Sequence, residues 1–169
     1  MTSAIPPRRQ ALTVRDLRLT IEYSYGMSRS KSVTVNIDAP PAKVFAVLRD
    51  VERWPEWTAS MTSVQRLDQG PFTIGSSARV CQPKLRAAVW QVTEFEENRN
   101  FTWVAHSPGL CMKAGHLIER QGAGCRVLLS FELSGLIAPV ASSLFGDLIE
   151  QYLSVESHGL KARAESAAA

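Results

Sequence analysis

Between residues 61 and 133 the sequence repeats one pattern, a strand-like run of apolar and polar residues followed by a break rich in Gly, Pro, Asn or acidic residues. Alternation with a period of two is typical of a half-buried β-strand. Most of the breaks are far too short for a parallel crossover, which needs a dozen or more residues, so neighbouring strands must be antiparallel. The pattern predicts an antiparallel meander with strands at 61–67, 76–82, 86–95, 100–107, 111–120 and 125–133.

A strand and a helix are predicted ahead of the meander. Val33, Val35 and Ile37 alternate with polar residues, which indicates a strand over 32–38. Two prolines end this strand and open a helix, where proline costs least, and apolar residues then recur at spacings of three and four over 42–49.

The stretch 50–57 reads Asp-Val-Glu-Arg-Trp-Pro-Glu-Trp. Pro55 breaks the preceding helix, so Trp54 and Trp57 are predicted to belong to a second short helix that caps one end of the sheet. Two tryptophans that bracket a proline, just after a strand and a short helix, are the most specific motif in the chain.

After Gly135 the period of the apolar residues changes to that of a helix. Apolar residues recur in two adjacent rows, and polar residues cover the rest of the surface. This spacing, opened by Pro139, predicts an amphipathic helix of about seven turns that lies on the apolar face of the meander. The two rows consist of Val140, Leu144, Leu148 and Tyr152, and of Ala141, Phe145, Ile149 and Leu153.

This order of elements, with the motif at 50–57, resembles the START-like (SRPBCC) superfamily, which includes polyketide cyclases/dehydrases and lipid-transport proteins. The resemblance covers residues 32 to about 164. It implies an α+β helix-grip fold of the START/Bet v 1-like kind, in which a curved seven-strand antiparallel sheet wraps around a long C-terminal helix, with two short helices after strand one. It also implies a cavity for a small hydrophobic molecule such as a lipid, a quinone or an aromatic polyketide. The fold alone does not define the function.

The resemblance divides the chain into three parts. Residues 32–165 are predicted to form the START-like domain, and residues 166–169 a disordered tail. Residues 1–31 are predicted to be a loosely structured extension, because they carry prolines and scattered arginines ahead of the family-like pattern. Met27 offers an alternative start of translation, and an intact mass of the native protein would distinguish the two starts.

Charge and hydropathy argue against a nucleic-acid partner and against insertion into a membrane. Residues 1–31 carry six basic and two acidic side chains (+4), and residues 32–169 carry 13 basic and 14 acidic ones (−1). The domain therefore has no basic stripe of the kind that nucleic-acid binding needs. No run approaches the ~20 consecutive apolar residues of a membrane span, and charges interrupt the apolar residues that follow Arg8 and Arg9, which argues against an export signal.

Cysteine spacing and missing motifs argue against a metal or a cofactor. Cys81, Cys111 and Cys125 are odd in number and widely spaced, without a nearby histidine pair, so neither a zinc site nor a disulfide framework is indicated. Reduced thiols in a cytoplasmic protein are the expectation. The phosphate-binding glycine loops, the His-Glu-x-x-His motif and the Gly-x-Ser-x-Gly elbow are absent, so we expect no metal, no cofactor and no activated nucleophile.

The last hairpin reveals which side chains face the predicted cavity. Pairing Arg120 with Cys125 puts two oppositely charged cross-strand pairs on one face and an apolar ladder on the other. A slip by one residue would set Ile118 against Arg126. The inward ladder then pairs Ile118 with Val127, His116 with Leu129, Ala114 with Phe131 and Met112 with Leu133.

His116 is the candidate for a polar handle or a general acid/base, because an imidazole titrates near neutrality. The alternative is a core histidine bonded to a carbonyl or hydroxyl, and the sequence suggests no Asp or Glu beside it. Arg79 is a candidate partner for a ligand carboxylate, unless it extends to solvent. Tyr152 is a candidate donor to a bound carbonyl, unless it only packs.

The tryptophans are candidates for stacking on an aromatic ligand, unless they only fill the core. Trp90 and Trp103 fall in opposite parity classes, so the register of 86–107 stays open, and His106 faces the same side as Trp90 unless a bulge intervenes. The predicted ligand-binding residues are Trp57, Arg79, Trp90, Trp103, Met112, Ala114, His116, Ile118, Leu129, Phe131, Leu144, Leu148 and Tyr152.

Three functions remain open on these grounds. The first is a carrier or binder that holds a small hydrophobic ligand between the sheet and the C-terminal helix. The second is an enzyme that folds a polyketone in the same cavity, with His116 assisting aldol cyclisation or dehydration. The third is a protein-interaction module that uses an apolar rim at 54–61. Few polar groups are predicted in the cavity, which favours binding.

Overall fold

The computed structural model describes residues 29–166; the predicted extension up to residue 28, the alternative start at Met27 and the tail from 167 lie outside this range. The elements follow the predicted order. They are β1 (Arg29–Ile37), α1 (Pro41–Arg49), a 3-10 helix (Val51–Glu56), β2 (Ser63–Arg66), β3 (Ser77–Cys81), β4 (Ala88–Glu96), β5 (Asn100–Ser107), β6 (Leu110–Gln121), β7 (Gly124–Ser134) and α2 (Ala138–Glu165).

The strands form one antiparallel sheet in the order β1-β7-β6-β5-β4-β3-β2. β1 begins at Arg29 rather than at the predicted residue 32, because Arg29 continues the ladder as far as Leu133 of β7. The sheet holds the long helix α2 against its concave face, with α1 and the 3-10 helix at one end. The predicted helix-grip fold is confirmed.

The hairpin of β6 and β7 has the predicted register. Arg120 lies opposite Cys125, and His116 lies opposite Leu129. His116 therefore points to the concave face, where its side chain is buried. The separation of charged and apolar residues onto opposite faces was sufficient to define this pairing.

A β-bulge in β4 decides which residues of β4 and β5 face inward. The pairing shifts between Val92 and Glu94, so β4 contains one extra residue at that point. Before the bulge, Trp90 and Val92 face inward, opposite Ala105 and Trp103; after it, Phe95 faces inward, opposite Phe101. His106 shares the parity of Trp90, yet it lies on the outer face and is exposed.

The helix α2 presents one row of residues to the sheet. Ile149 and Leu153 are buried, and the row continues through Glu156 to Leu160. The other predicted row lies about 100° further around the helix. Its member Leu144 is 70% exposed, so the predicted cavity role of Leu144 needs correction, whereas Tyr152 of the same row does line the cavity.

Candidate functional site

A cavity lies between the concave face of the sheet and α2. Its volume is about 50 Å³, counted as the space open to the centre of a water molecule, which is room for a few waters. The wall is mainly apolar and aromatic. It consists of Trp54, Met61, Val80, Gln82, Leu85, Trp90, Trp103, Ala114, Gly115, His116, Leu129, Ser130, Phe131, Ile149, Tyr152, Leu153 and Glu156.

His116 and Glu156 form a buried pair in this wall. Nε2 of His116 lies 3.4 Å from Oε1 of Glu156, and the two residues are 4% and 6% exposed. The sheet supplies the histidine from β6, and α2 supplies the glutamate. Burying a carboxylate without a partner costs free energy, and the imidazole of His116 reduces this cost for Glu156.

The hydrogen-bond partner of Nδ1 determines which atom of His116 faces Glu156. Nδ1 lies 3.4 Å from the carbonyl oxygen of Phe101, which can only accept, so Nδ1 carries a hydrogen and donates it. In the neutral tautomer that has its hydrogen on Nδ1, Nε2 carries a lone pair that faces the carboxylate of Glu156. A hydrogen bond between Nε2 and the carboxylate of Glu156 therefore needs a proton on one of these two groups, which would then share it.

Aromatic rings surround this imidazole. Phe101 stacks on it with a centroid distance of 4.2 Å and an interplanar angle of 19°. Trp54 meets it at 5.4 Å and 65°. These two rings pack against the imidazole and hold its orientation in the cavity wall.

Trp54 is held in this position by the local backbone. Its Nε1 donates to the carbonyl of Leu48 at the end of α1, over 2.9 Å. The 3-10 helix that contains Pro55 turns the chain so that the indole points inward, and Trp54 is fully buried. The motif at 50–57 therefore builds one wall of the cavity.

The cavity wall meets the loop between β3 and β4, residues 82–87. Leu85 of this loop and Tyr152 of α2 both line the cavity. The hydroxyl of Tyr152 donates a hydrogen bond to the carbonyl of Pro83. Burial raises the pKa of the Tyr152 phenol, so the hydroxyl stays protonated at neutral pH and remains a donor.

A family model described as polyketide cyclase / dehydrase and lipid transport matches residues 29–165. The chain belongs to this family. No curated protein matches its sequence.

Solved structures similar to this polyketide cyclase/dehydrase family member share its fold. The ZhuI aromatase/cyclase from a Streptomyces species has a TM-score of 0.68 and 17% identity, over 82% of this chain and 94% of its own. TTHA0849 from Thermus thermophilus has a TM-score of 0.66 and 15% identity, over 80% of this chain and 97% of its own. The di-domain aromatase/cyclase BexL has a TM-score of 0.68 and 16% identity, over 92% of this chain and 56% of its own.

In this family member, the structure brings one group of predicted site residues together around the cavity. They come from β4, β5, β6, β7 and α2, so they are distant in sequence. They are Trp90, Trp103, Ala114, His116, Leu129, Phe131 and Tyr152.

A second group of predicted site residues lies away from the cavity wall. Arg79 is exposed on β3, opposite the exposed Val89 of β4, because its parity on the strand points it outward. Trp57 follows the 3-10 helix and packs beside Trp54 and against Gly159 instead of reaching the interior.

The remaining predicted residues also lie outside the cavity wall, two because of their position along a strand and two because of their position around α2. Met112 and Ile118 face inward, but they sit towards the two ends of β6, and Ile118 lines a separate pocket together with Pro41 of α1. Leu144 and Leu148 belong to the row of α2 that is rotated away from the sheet, and Leu148 is half-buried.

Sequence reasoning missed Glu156 and predicted no carboxylate beside His116. The structure corrects this. A signal was present, because position 156 continues the spacing of Ile149, Leu153 and Leu160 along the buried row of α2. A glutamate on an apolar row indicates a buried carboxylate that needs a partner, and His116 is the inward polar residue able to provide one.

The apolar rim that was predicted at 54–61 is mostly internal. Trp54 is 0% exposed and Met61 is 8% exposed, and both face the cavity. Thr58 and Ser60 are buried as well and bond to each other. This segment therefore offers little apolar surface to a protein partner.

The cysteines are free thiols in the structure. Cys125 is buried, and its burial raises the pKa of the thiol, so it remains protonated and unreactive at neutral pH. Among residues 29–166 no group of three His, Cys, Asp or Glu side chains is arranged to hold a metal ion. Within the same residues no helix has both the length and the apolar character to cross a membrane.

Proposed function

We propose that this protein binds a small hydrophobic molecule that carries a hydroxyl or carbonyl oxygen, in the cavity between the sheet and α2. The observation that carries the proposal is the buried pair of His116 and Glu156 in a wall that is otherwise mostly apolar. The apolar wall favours the body of the ligand through burial of its surface. The pair gives the oxygen a partner, since it can donate through the shared proton or accept through the carboxylate.

The ligand is oriented rather than merely enclosed. The aromatic side chains of Trp54, Trp90 and Trp103 form the wall beside the pair, and flat faces of this kind favour a planar ring system. A lipid, a quinone or an aromatic polyketide are the candidate classes. No nucleic acid and no metal or other cofactor takes part in this proposal, and a cytoplasmic location remains a prediction from the cysteines.

The proposal is tested by comparing two probes that differ by a single hydroxyl group. We expect 1-naphthol to bind about tenfold more tightly than naphthalene, because its hydroxyl pairs with His116 and Glu156. Glu156→Gln, which keeps the size of the side chain but removes the shared proton, should reduce this preference to about twofold. Titration monitored by quenching of the cavity tryptophans gives both affinities.

Because both probes are measured on each protein, a general loss of folding would not imitate a loss of preference. Native mass spectrometry of the freshly purified protein, with solvent extraction, identifies any ligand already bound. Equal affinities of wild type for the two probes, or an unchanged preference in the Glu156→Gln protein, would contradict the assigned role of the pair.

A second candidate function is acid–base catalysis of a cyclisation or dehydration. The specific observation in its favour is the 3.4 Å approach of His116 to Glu156, because an imidazole with a carboxylate partner can remove a proton from carbon and return one to oxygen. In an intramolecular aldol condensation, the base removes a proton next to one carbonyl. The carbanion then attacks the second carbonyl, whose oxygen takes up a proton. Removal of a second proton from the same carbon and loss of the hydroxyl group as water give the conjugated enone.

A small diketone suits the small cavity as a test of this second function. 2,6-Heptanedione would give 3-methylcyclohex-2-enone and one water, and the conjugated product is followed by its ultraviolet absorbance. We expect Glu156→Gln and His116→Gln each to lower the rate about 10²-fold. A wild-type rate no higher than that of free imidazole, or rates unchanged in both variants, would exclude the pair as the catalyst.

A further inference from the structure

Strand β1 forms one edge of the sheet, and its outer side has no partner strand among residues 29–166. It pairs with β7 over its whole length, from Arg29 opposite Leu133 to Ile37 opposite Cys125. A strand with one neighbour satisfies the backbone groups of alternate residues only, so a row of N–H and C=O groups points away from the sheet. A free edge of this length is a template for one more strand.

The helix α2 closes this edge at one end of β1 only. Lys161 of α2 donates to the carbonyl oxygen of Asn36 over 2.8 Å, near the end of the strand. Nearer its start, α2 contributes the ion pair of Lys31 with Glu150, which joins side chains and does not involve the backbone of the edge. The open part of the edge is therefore 29–35.

The inner face of β1 is also incompletely covered along this part. Val33 and Val35 have the parity of Ile37 and point to the concave side of the sheet. Ile37 is 1% exposed, whereas Val33 and Val35 are only half-buried. One more strand beside β1 would extend the concave face and cover these two valines further.

The sequence directly before β1 has the pattern of such a strand. Residues 17–25 read Leu-Arg-Leu-Thr-Ile-Glu-Tyr-Ser-Tyr, in which apolar or aromatic residues alternate with polar ones without a break. Gly26, Met27 and Ser28 then separate this segment from Arg29. Three residues that include a glycine are a common hairpin loop. The segment is therefore suited to fold back antiparallel along the free edge of β1.

The length of this loop decides which side chains share a face. A loop of three residues sets odd positions opposite odd positions, so the apolar residues of the segment continue the concave face of β1. A loop of two or four residues would turn all of them to the outer, polar face. The resulting pairs are Tyr25 with Arg29, Tyr23 with Lys31, Ile21 with Val33 and Leu19 with Val35 on the inner face, and Ser24 with Ser30, Glu22 with Ser32 and Thr20 with Thr34 on the outer face.

We propose that residues 19–25 bind the free edge of β1 as an eighth strand, in this antiparallel register. The occupant is a segment of the same chain, because closing a loop of three residues costs little entropy compared with recruiting a second molecule. The eighth strand goes beyond the proposed function and is independent of ligand binding. It makes residues 19–25 part of the folded domain, in place of the loose extension predicted there. Translation would then begin before these residues and not at Met27.

Two substitutions that introduce the same side chain at neighbouring positions test the strand in the full chain. Ile21→Lys puts a charge on the inner face, and Glu22→Lys, the matched control, puts one on the outer face. We expect Ile21→Lys to speed amide hydrogen exchange in residues 20–24 about tenfold or more, and Glu22→Lys to change it less than about twofold. Nuclear magnetic resonance resolves the individual amides.

The amides of the β6–β7 ladder should exchange at wild-type rates in both variants, which shows that the rest of the sheet is intact. Unprotected amides at 20–24 in the wild type would overturn the eighth strand. Equal effects of the two lysines on these amides would also overturn it, because an alternating strand must distinguish its two faces.

A disulfide at the pair farthest from the loop tests the register. Thr20→Cys with Thr34→Cys sets two thiols opposite each other, where the Cα atoms of an antiparallel pair lie about 4.5–5.5 Å apart. Mild oxidation should join them within one chain, and peptide mapping distinguishes this bond from any bond to the native cysteines. Thr20→Cys with Val35→Cys is the control, because these side chains point to opposite faces and should not cross-link.

No cross-link in the Thr20→Cys, Thr34→Cys protein, or equal cross-linking in the control, would overturn the register. A bond between two chains instead of within one would overturn the intramolecular strand and identify a second copy as the occupant of the edge.

Discussion

Replacing His116 with leucine is expected to lower the free energy of unfolding by about 3 kcal/mol or more, because Glu156 is left buried without its partner. The exchange is similar in volume and keeps the position apolar, so lost packing alone would cost less. Glu156 is 6% exposed, so little of its surface meets bulk solvent that could replace the lost partner. Urea unfolding monitored by tryptophan fluorescence measures the change. The m-value, the slope of the unfolding free energy against urea concentration, should be the same for the variant and the wild type.

The double variant His116→Leu with Glu156→Leu separates the pair from simple packing. If the loss in the single variant comes from an unpartnered carboxylate, the double variant should recover to within about 1 kcal/mol of wild type, since apolar replacement of a buried pair is often neutral. Additive losses, or a loss below about 1 kcal/mol in His116→Leu alone, would contradict the assignment of a coupled pair.

The fold was predictable from sequence where one face of an element differs chemically from the other. In the hairpin of β6 and β7, opposite charges share one face and apolar residues share the other, so a slip of one residue is visibly unfavourable. His116 was placed correctly for this reason. The register followed from local side-chain chemistry without any knowledge of the rest of the sheet.

The register of β4 and β5 was not predictable in the same way, since both faces are apolar. The bulge between Val92 and Glu94 inserts one residue, which lets Trp90 and Phe95 face the same side in spite of their opposite parity. A bulge is a single extra residue with no obligatory sequence signal. It is defined by how the whole sheet curves around α2.

The partner of His116 could not be inferred from local patterns either. The pair joins β6 to α2, so it depends on how the helix is rotated over the sheet. Two adjacent rows of α2 are similarly apolar, and Leu144 and Leu148 of one row were predicted to bind the ligand, whereas in the structure Ile149 and Leu153 of the other row are buried. With the correct rotation, Glu156 falls on the buried face as a consequence.

The position of α2 depends on a close contact between Gly159 and Trp57. Disrupting this contact is expected to have a second large effect on the free energy of unfolding. Gly159 of α2 packs directly against the backbone of Trp57, and a Cβ added there would overlap the carbonyl oxygen of Trp57. A backbone oxygen cannot swing aside as a side chain can. Gly159→Ala is therefore expected to lower the free energy of unfolding by about 3 kcal/mol, at the upper end of the penalties for overpacking.

Gly146→Ala on the same helix is the matched control. A Cβ there would meet only the hydroxyl of Ser142, at 4.0 Å, so the higher helix propensity of alanine should stabilise the protein by about 0.5–1 kcal/mol. Opposite signs for the two variants in thermal and urea unfolding would tie the loss to the approach of α2 to Trp57. If Gly159→Ala left the free energy of unfolding unchanged or raised it, the backbone of Trp57 would have to leave room for a Cβ at position 159. The rotation of α2 that brings Glu156 to His116 would then need another cause.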